Sequence, residues 1–78
     1  MVNIMKLKGK IVENGMNIST LANSMDIDRA TLYRRMQANG ESFTIKEANE
    51  ICRILNLSSE EAKAIFFKDY VALYANNK

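Results

Sequence analysis

Histidine, proline and tryptophan are missing from this 78-residue chain, and cysteine occurs once, as Cys52. Without histidine the commonest zinc ligand and the commonest general base are both gone. A single cysteine rules out an internal disulfide, and its use is in keeping with a reducing compartment. Only three glycines occur, at 9, 15 and 40, and they are scattered, so no glycine-rich phosphate loop exists. No apolar run reaches the 18 residues that a membrane span requires. Lys6, Lys8 and Lys10 interrupt what would have to be a signal-peptide core. These absences predict a cytoplasmic protein with no metal, no cofactor, no membrane association and no small-molecule ligand. With no catalytic constellation in sight, they also predict that it is not an enzyme. Glu60-Glu61, the one adjacent carboxylate pair near a helix start, is explained by charge at a helix N-terminus.

A chain this short buries only about 60% of its extended surface, so its stability has to come from regular helices and from self-association. The net charge of +2 is modest, but it is unevenly placed. Residues 1–46 hold seven basic and four acidic groups, and residues 47–78 hold four basic and five acidic. The first part is therefore +3 and the second −1, which assigns any affinity for a polyanion to the first part.

Apolar residues recur at spacings of three and four, with no sustained alternation, and this predicts a single all-α domain over 1–78. Five helices follow. The first covers about 3–13, with Ile4, Leu7, Ile11 and, at its margin, Val12 inward. Gly9 weakens it by roughly 1 kcal/mol relative to alanine, and Asn14-Gly15 stops it. The second begins after Asn17, an N-cap, and covers 18–25 with Ile18, Leu21, Ala22 and Met25 inward. Asp28 caps the third, 29–37, on which Leu32 and Met36 share a face. Thr44-Ile45-Lys46-Glu47 spells a capping box. It opens the fourth helix, with Ile45, Ala48, Ile51, Cys52 and Leu55 inward and Asn56 as its stop. Ser58-Ser59-Glu60-Glu61 is a second capping box, opening a fifth helix that reaches about residue 74.

Helices two and three, over about 17–37, are short and joined by a tight turn. Ala22 supplies the small residue such a crossing needs. Asp26 stands where a left-handed backbone is required, at some cost for a non-glycine residue. Leu21, Met25, Ile27 and Leu32 anchor both sides. This is the spacing of a DNA-binding helix-turn-helix.

The segments ISTLANSMDIDRATLYRRM and FTIKEANEICRILNLSSEEAKAIFF resemble the phage repressor and Cro-like (Xre-type) helix-turn-helix regulators. They are similar to small members common in phages and prophages of Gram-positive bacteria. The resemblance covers about residues 16–67. It implies a lambda-repressor-like bundle of five helices whose third helix enters the major groove, usually from a dimer. Three positions depart from the family's habit. Ile18 replaces a glutamine that helps hold phosphate. Asp26 replaces the turn glycine, which predicts a looser turn. Arg35 replaces a frequently apolar residue, which makes the third helix more basic.

With the third helix in the groove, Arg29, Ala30, Tyr33 and Arg34 are the expected base contacts. Arg29 can bond guanine O6 and N7 together, and Ala30 can meet a thymine methyl. Tyr33 can use ring or hydroxyl, and Arg34 can reach base or phosphate. The alternative for all four is a solvated basic face. Phosphate contacts position without reading, and they are expected from Asn17, Ser19, Thr31, Arg35, Gln37, Asn39, Ser42, Thr44 and Lys46. For Asn17, Ser19, Thr31 and Thr44 ordinary capping is the competing role. Arg35 either lies over the core or binds phosphate. Lys6, Lys8 and Lys10 fit a solvated face, and Cys52 fits a buried small hydrophobe.

The fifth helix, 59–75, carries more apolar and aromatic surface than one core-facing stripe needs. Phe66, Phe67, Tyr70, Val71 and Tyr74 are the expected homodimer interface, unless the tail folds back over the first helix. The function expected from these features is a sequence-specific, double-stranded-DNA-binding transcriptional regulator, a phage or prophage repressor or Cro-like protein. On a chain without room for an effector domain, it would act by steric cover of a promoter. The alternative is the same fold used as a protein-binding adaptor or antirepressor.

Overall fold

A computed structural model describes residues 2–38 and 43–66. These residues form five helices and no strand: α1 (Ile4–Glu13), α2 (Ile18–Ser24), α3 (Arg29–Gln37), α4 (Ile45–Ile54) and α5 (Ser59–Ile65). One core gathers all five. Leu7, Leu21, Leu32 and Ile51 are fully buried, and Ile65 is 1% exposed. Ile11, Ala22, Met25, Met36 and Leu55 complete it. No polar or charged residue is buried among the described residues, so this interior is held by apolar contact alone. The architecture is the all-α, lambda-repressor-like bundle expected of the sequence.

Every helix start is capped in a way its residues dictate, with one exception. Asn3 Oδ1 accepts the Lys6 N–H (3.1 Å). Asn17 and Thr20 form a reciprocal box, the Thr20 N–H donating to Asn17 Oδ1 (2.9 Å) and the Asn17 N–H to Thr20 Oγ1 (2.8 Å). Thr44 with Glu47, and Ser58 with Glu61, do the same for α4 and α5. Asp28 is the exception. It stands at the N-cap of α3, but its carboxylate makes no cap bond and is exposed to solvent. Thr31 does not support that cap either. Its hydroxyl accepts from Arg34 Nη2 at 3.5 Å.

Three helix ends share one device. After α1, α2 and α4 a residue turns left-handed: Gly15 (φ 70°), Asp26 (φ 59°) and Asn56 (φ 53°). In each case two crossed hydrogen bonds close the end. At α2 the Asp26 N–H reaches Asn23 O (3.1 Å) and the Ile27 N–H reaches Ala22 O (3.0 Å). The residue that follows each left-handed position (Met16, Ile27 or Leu57) packs on the core. The expected loosening at Asp26 is therefore not found, because the bonds and the Ile27 plug hold the turn whatever the side chain. The conformational cost of a non-glycine residue remains. Asp26→Gly should raise stability by about 0.5–1 kcal/mol after the added freedom of the unfolded chain is allowed for. A thermal melt reads this as a rise of a few degrees, and a lower midpoint would contradict it.

Some positions sit differently from the pattern's forecast. Ile45 is 73% exposed, and so is Val12. At 100° per residue, Val12 lies roughly 120° from the Leu7–Ile11 direction and Ile45 roughly 90° from that of α4's core residues, so both overhang the stripe. Cys52, nearer the stripe, is half-buried rather than buried. Burial pushes its thiol pKa up, which keeps it protonated and unreactive at neutral pH.

α5 is joined to α1 at two points. The Asn3 N–H donates to Ile65 O (2.8 Å), and Lys10 Nζ pairs with Glu61 as well as with Glu13, the latter at 3.3 Å. The hydrogen bond from Lys10, then the one from the Ser58 N–H, lowers the Glu61 pKa from 4.5 to about 2. A carboxyl depressed by folding stabilises the fold above its unfolded pKa, and that contribution is lost as pH falls toward the folded value. The urea midpoint should thus decline between about pH 5 and pH 2. Lys10→Met should flatten this decline. An unchanged profile would show that the pair does not hold α1 to α5.

Candidate nucleic-acid interface

The α2–α3 pair is built on Ala22, which is 1% exposed. A larger side chain there would push the helices apart. Both helices pack closely on each other, and α2 also packs on α4. Leu32 and Met36, 0% and 4% exposed, pin the inner side of α3. The adjoining arc, from Arg29 through Tyr33 and Gln37 to Arg34, is turned out. Arg29, Ala30, Tyr33, Arg34 and Gln37 are all exposed, Tyr33 at 44%. Two arginines and an aromatic thus stand exposed on one helix of the chain half that carries the excess positive charge.

Thr31 and Arg35, four residues apart, lie on the flank facing away from that surface and are half-buried. Arg35 Nη2 meets Glu47 Oε2 at 3.0 Å. The same carboxylate, through Oε1, accepts the Thr44 N–H (2.9 Å), while Thr44 Oγ1 accepts the Glu47 N–H (3.0 Å). Arg35 therefore joins α3 to the first turn of α4. This ion pair was not among the two roles expected of Arg35, over the core or on phosphate.

The expected phosphate-side residues divide in three. Asn17 and Ser19 are exposed at the start of α2, Asn17 with its oxygen engaged in the cap. Thr44 and Lys46 are exposed at the start of α4. Asn39 and Ser42 lie outside the described residues. Of the expected dimer contacts only Phe66 is described; it is half-buried, with its ring edge-on to Phe43 at a centroid distance of 6.0 Å. Phe67, Tyr70, Val71 and Tyr74 lie outside the described residues.

Sequence reasoning missed Glu47's second partner and the Lys10–Glu61 pair. The capping spelling announced Glu47 and Glu61 as local residues. Their distant partners depend on how helices pack, for which no local signal exists. Among the described residues no group of acidic residues or cysteine is arranged to hold a metal ion, and no helix is long and apolar enough to cross a membrane.

A short second helix crossed by a third that offers a basic, aromatic outer face defines the class: a DNA-binding helix-turn-helix domain. The profile of the Cro/C1-type HTH DNA-binding domain family matches residues 6–62, and the chain belongs to that family. Neither characterised proteins nor solved structures yield a match to it. Membership agrees with the expected helix-turn-helix regulator family, and makes the protein a DNA-binding regulator.

Proposed function

We propose that this protein is a sequence-specific transcriptional regulator, a phage or prophage repressor or Cro-like protein that acts by covering a promoter. The observation that carries the reading is the exposed set of Arg29, Ala30, Tyr33 and Arg34 on α3, on the arc adjoining the buried Leu32 and Met36. In this reading Arg29 bonds a guanine edge, Ala30 meets a thymine methyl, Tyr33 follows one turn later, and Arg34 reaches base or phosphate. Asn17 and Ser19 at the start of α2, and Thr44 and Lys46 at the start of α4, hold the two backbones, with Gln37, Asn39 and Ser42 between. Thr31 lies at the edge of that contact, and Arg35 is engaged by Glu47 instead. Two copies, joined through the C-terminal segment of Phe66, Phe67, Tyr70, Val71 and Tyr74, present two reading helices. Half-sites about one helical turn apart follow from the two-fold axis.

Selection of bound duplexes from a random pool tests this directly. Enrichment of a near-palindrome, with half-sites about 10 base pairs between centres, is expected. Enrichment of a single half-site would remove the dimer, and no enrichment at all would remove sequence reading. Binding should also weaken steeply with salt, since neutralised phosphates release counterions. No gel shift of genomic fragments at low salt would favour the protein-binding adaptor instead.

A further inference from the structure

Glu47 holds two structures at once. Its Oε1 closes the capping box of α4 on Thr44 (2.9 Å), and its Oε2 grips Arg35 of α3 (3.0 Å). Its side chain is 14% exposed and that of Arg35 26%, so the pair is shielded on most sides, where it is screened less than a surface pair. A half-buried arginine without its carboxylate would be costly in this place. The two ends of the bridge differ in what they carry. Arg35 directly follows Arg34 and sits two residues after Tyr33, on the reading helix. Thr44 is the N-cap of α4, with Lys46 exposed two residues on.

We infer that Glu47 is a positioning residue for DNA reading: one carboxylate sets the phosphate-side start of α4 against the base-reading helix α3. The inference rests on the DNA reading proposed above. Reading bases requires that backbone contacts and groove contacts be made in one register. A bidentate or near-bidentate bond to a base tolerates little misplacement, whereas contact with phosphate on any sequence tolerates much. Loss of the bridge therefore lets α3 and α4 shift relative to each other and weakens binding to the selected duplex, with less effect on random duplex. The bridge is directional, because the guanidinium and carboxylate bond only along fixed lines.

The test uses the full chain in three variants: Glu47→Gln, Arg35→Met and the two together. Glu47→Gln keeps an amide oxygen for the Thr44 N–H and removes the charge that holds Arg35. Arg35→Met keeps the stem's apolar cover and breaks the bridge from the other side. Circular dichroism verifies folding, and affinities are measured for a duplex recovered by selection and for a random duplex of equal length. Each single variant should lower the ratio of the two affinities by about 5–10-fold, the order of a single charge-assisted hydrogen bond. The double variant should lower it no further, because both changes break one interaction. Should one variant fail to fold, the other still breaks the bridge. A ratio unchanged in the folded variants, or losses that multiply in the double variant, would overturn the inference while leaving DNA reading intact. A wild-type chain that shows no preference for any duplex overturns both.

Discussion

Leu32→Ala should lower the stability of this domain by about 2–5 kcal/mol, the range for emptying a well-packed leucine site. The side chain is fully buried, it stands on the helix proposed to read DNA, and its neighbours come from a small core that cannot close over the space. Domains of this size hold only about 5–15 kcal/mol in all, and each kcal/mol is worth roughly 4–8 °C at the melting midpoint. The melting temperature should therefore fall by about 10 °C or more. DNA binding should fall with it at ordinary temperature, and partly recover on cooling toward the temperature of greatest stability. A melt within a few degrees of wild type would mean that α3 is held by something other than its inner face. The outward placement of Tyr33 and Arg34 would then lose its basis.

Arg29→Ala should do the opposite. Arg29 is exposed in the first turn of α3, and substitutions at such positions shift stability by at most about 0.5 kcal/mol. Its affinity for a selected duplex should drop by about 1–3 kcal/mol, with relaxed preference at one base pair. On random duplex the loss should be much smaller, because only the general attraction to phosphate is reduced. Isothermal titration or fluorescence anisotropy on the two duplexes separates these outcomes. Equal losses on both would make Arg29 a phosphate contact and leave base reading to Tyr33 and Arg34. The two substitutions together distinguish the pin from the reader: one acts through the fold and the other without it.

Much of the architecture was legible in local chemistry. Asn17, Thr44 and Ser58 start helices because their side-chain oxygens satisfy backbone donors that a helix leaves unpaired. Gly15 and Asn56 stop them because they accept the left-handed turn with little strain. The two-helix crossing could be read from Ala22, Asp26 and the apolar anchors, since each has a steric reason to stand at its place. Asp28 shows the limit of such reading. A good capping residue in the right position makes no cap bond, although Asn17, Thr44 and Ser58 at equally exposed helix starts do. Ile45 and Val12 show another. Both are apolar and near the inward stripe, but a stripe's edge is set by what the neighbouring helix covers. Arg35 is the most informative departure. An arginine at a usually apolar position read as cover for the core or as a phosphate contact, whereas the fold brings Glu47 to within 3.0 Å of it.

The amino-acid order by itself determined the helices of the described residues, where the first four begin and end and where the fifth begins, and which side of the third helix is apolar, because these depend on interactions within four residues or on helical period. It also determined the family, through residues whose types follow from the helix-turn-helix geometry. The expected reach of the fifth helix to about residue 74 lies outside the described residues. Only the tertiary structure decided which charges are engaged within the protein: Lys10 with Glu61, and Arg35 with Glu47. Ion pairs between helices depend on packing distances of a few ångströms, and the one-dimensional pattern of charges carries no record of those distances.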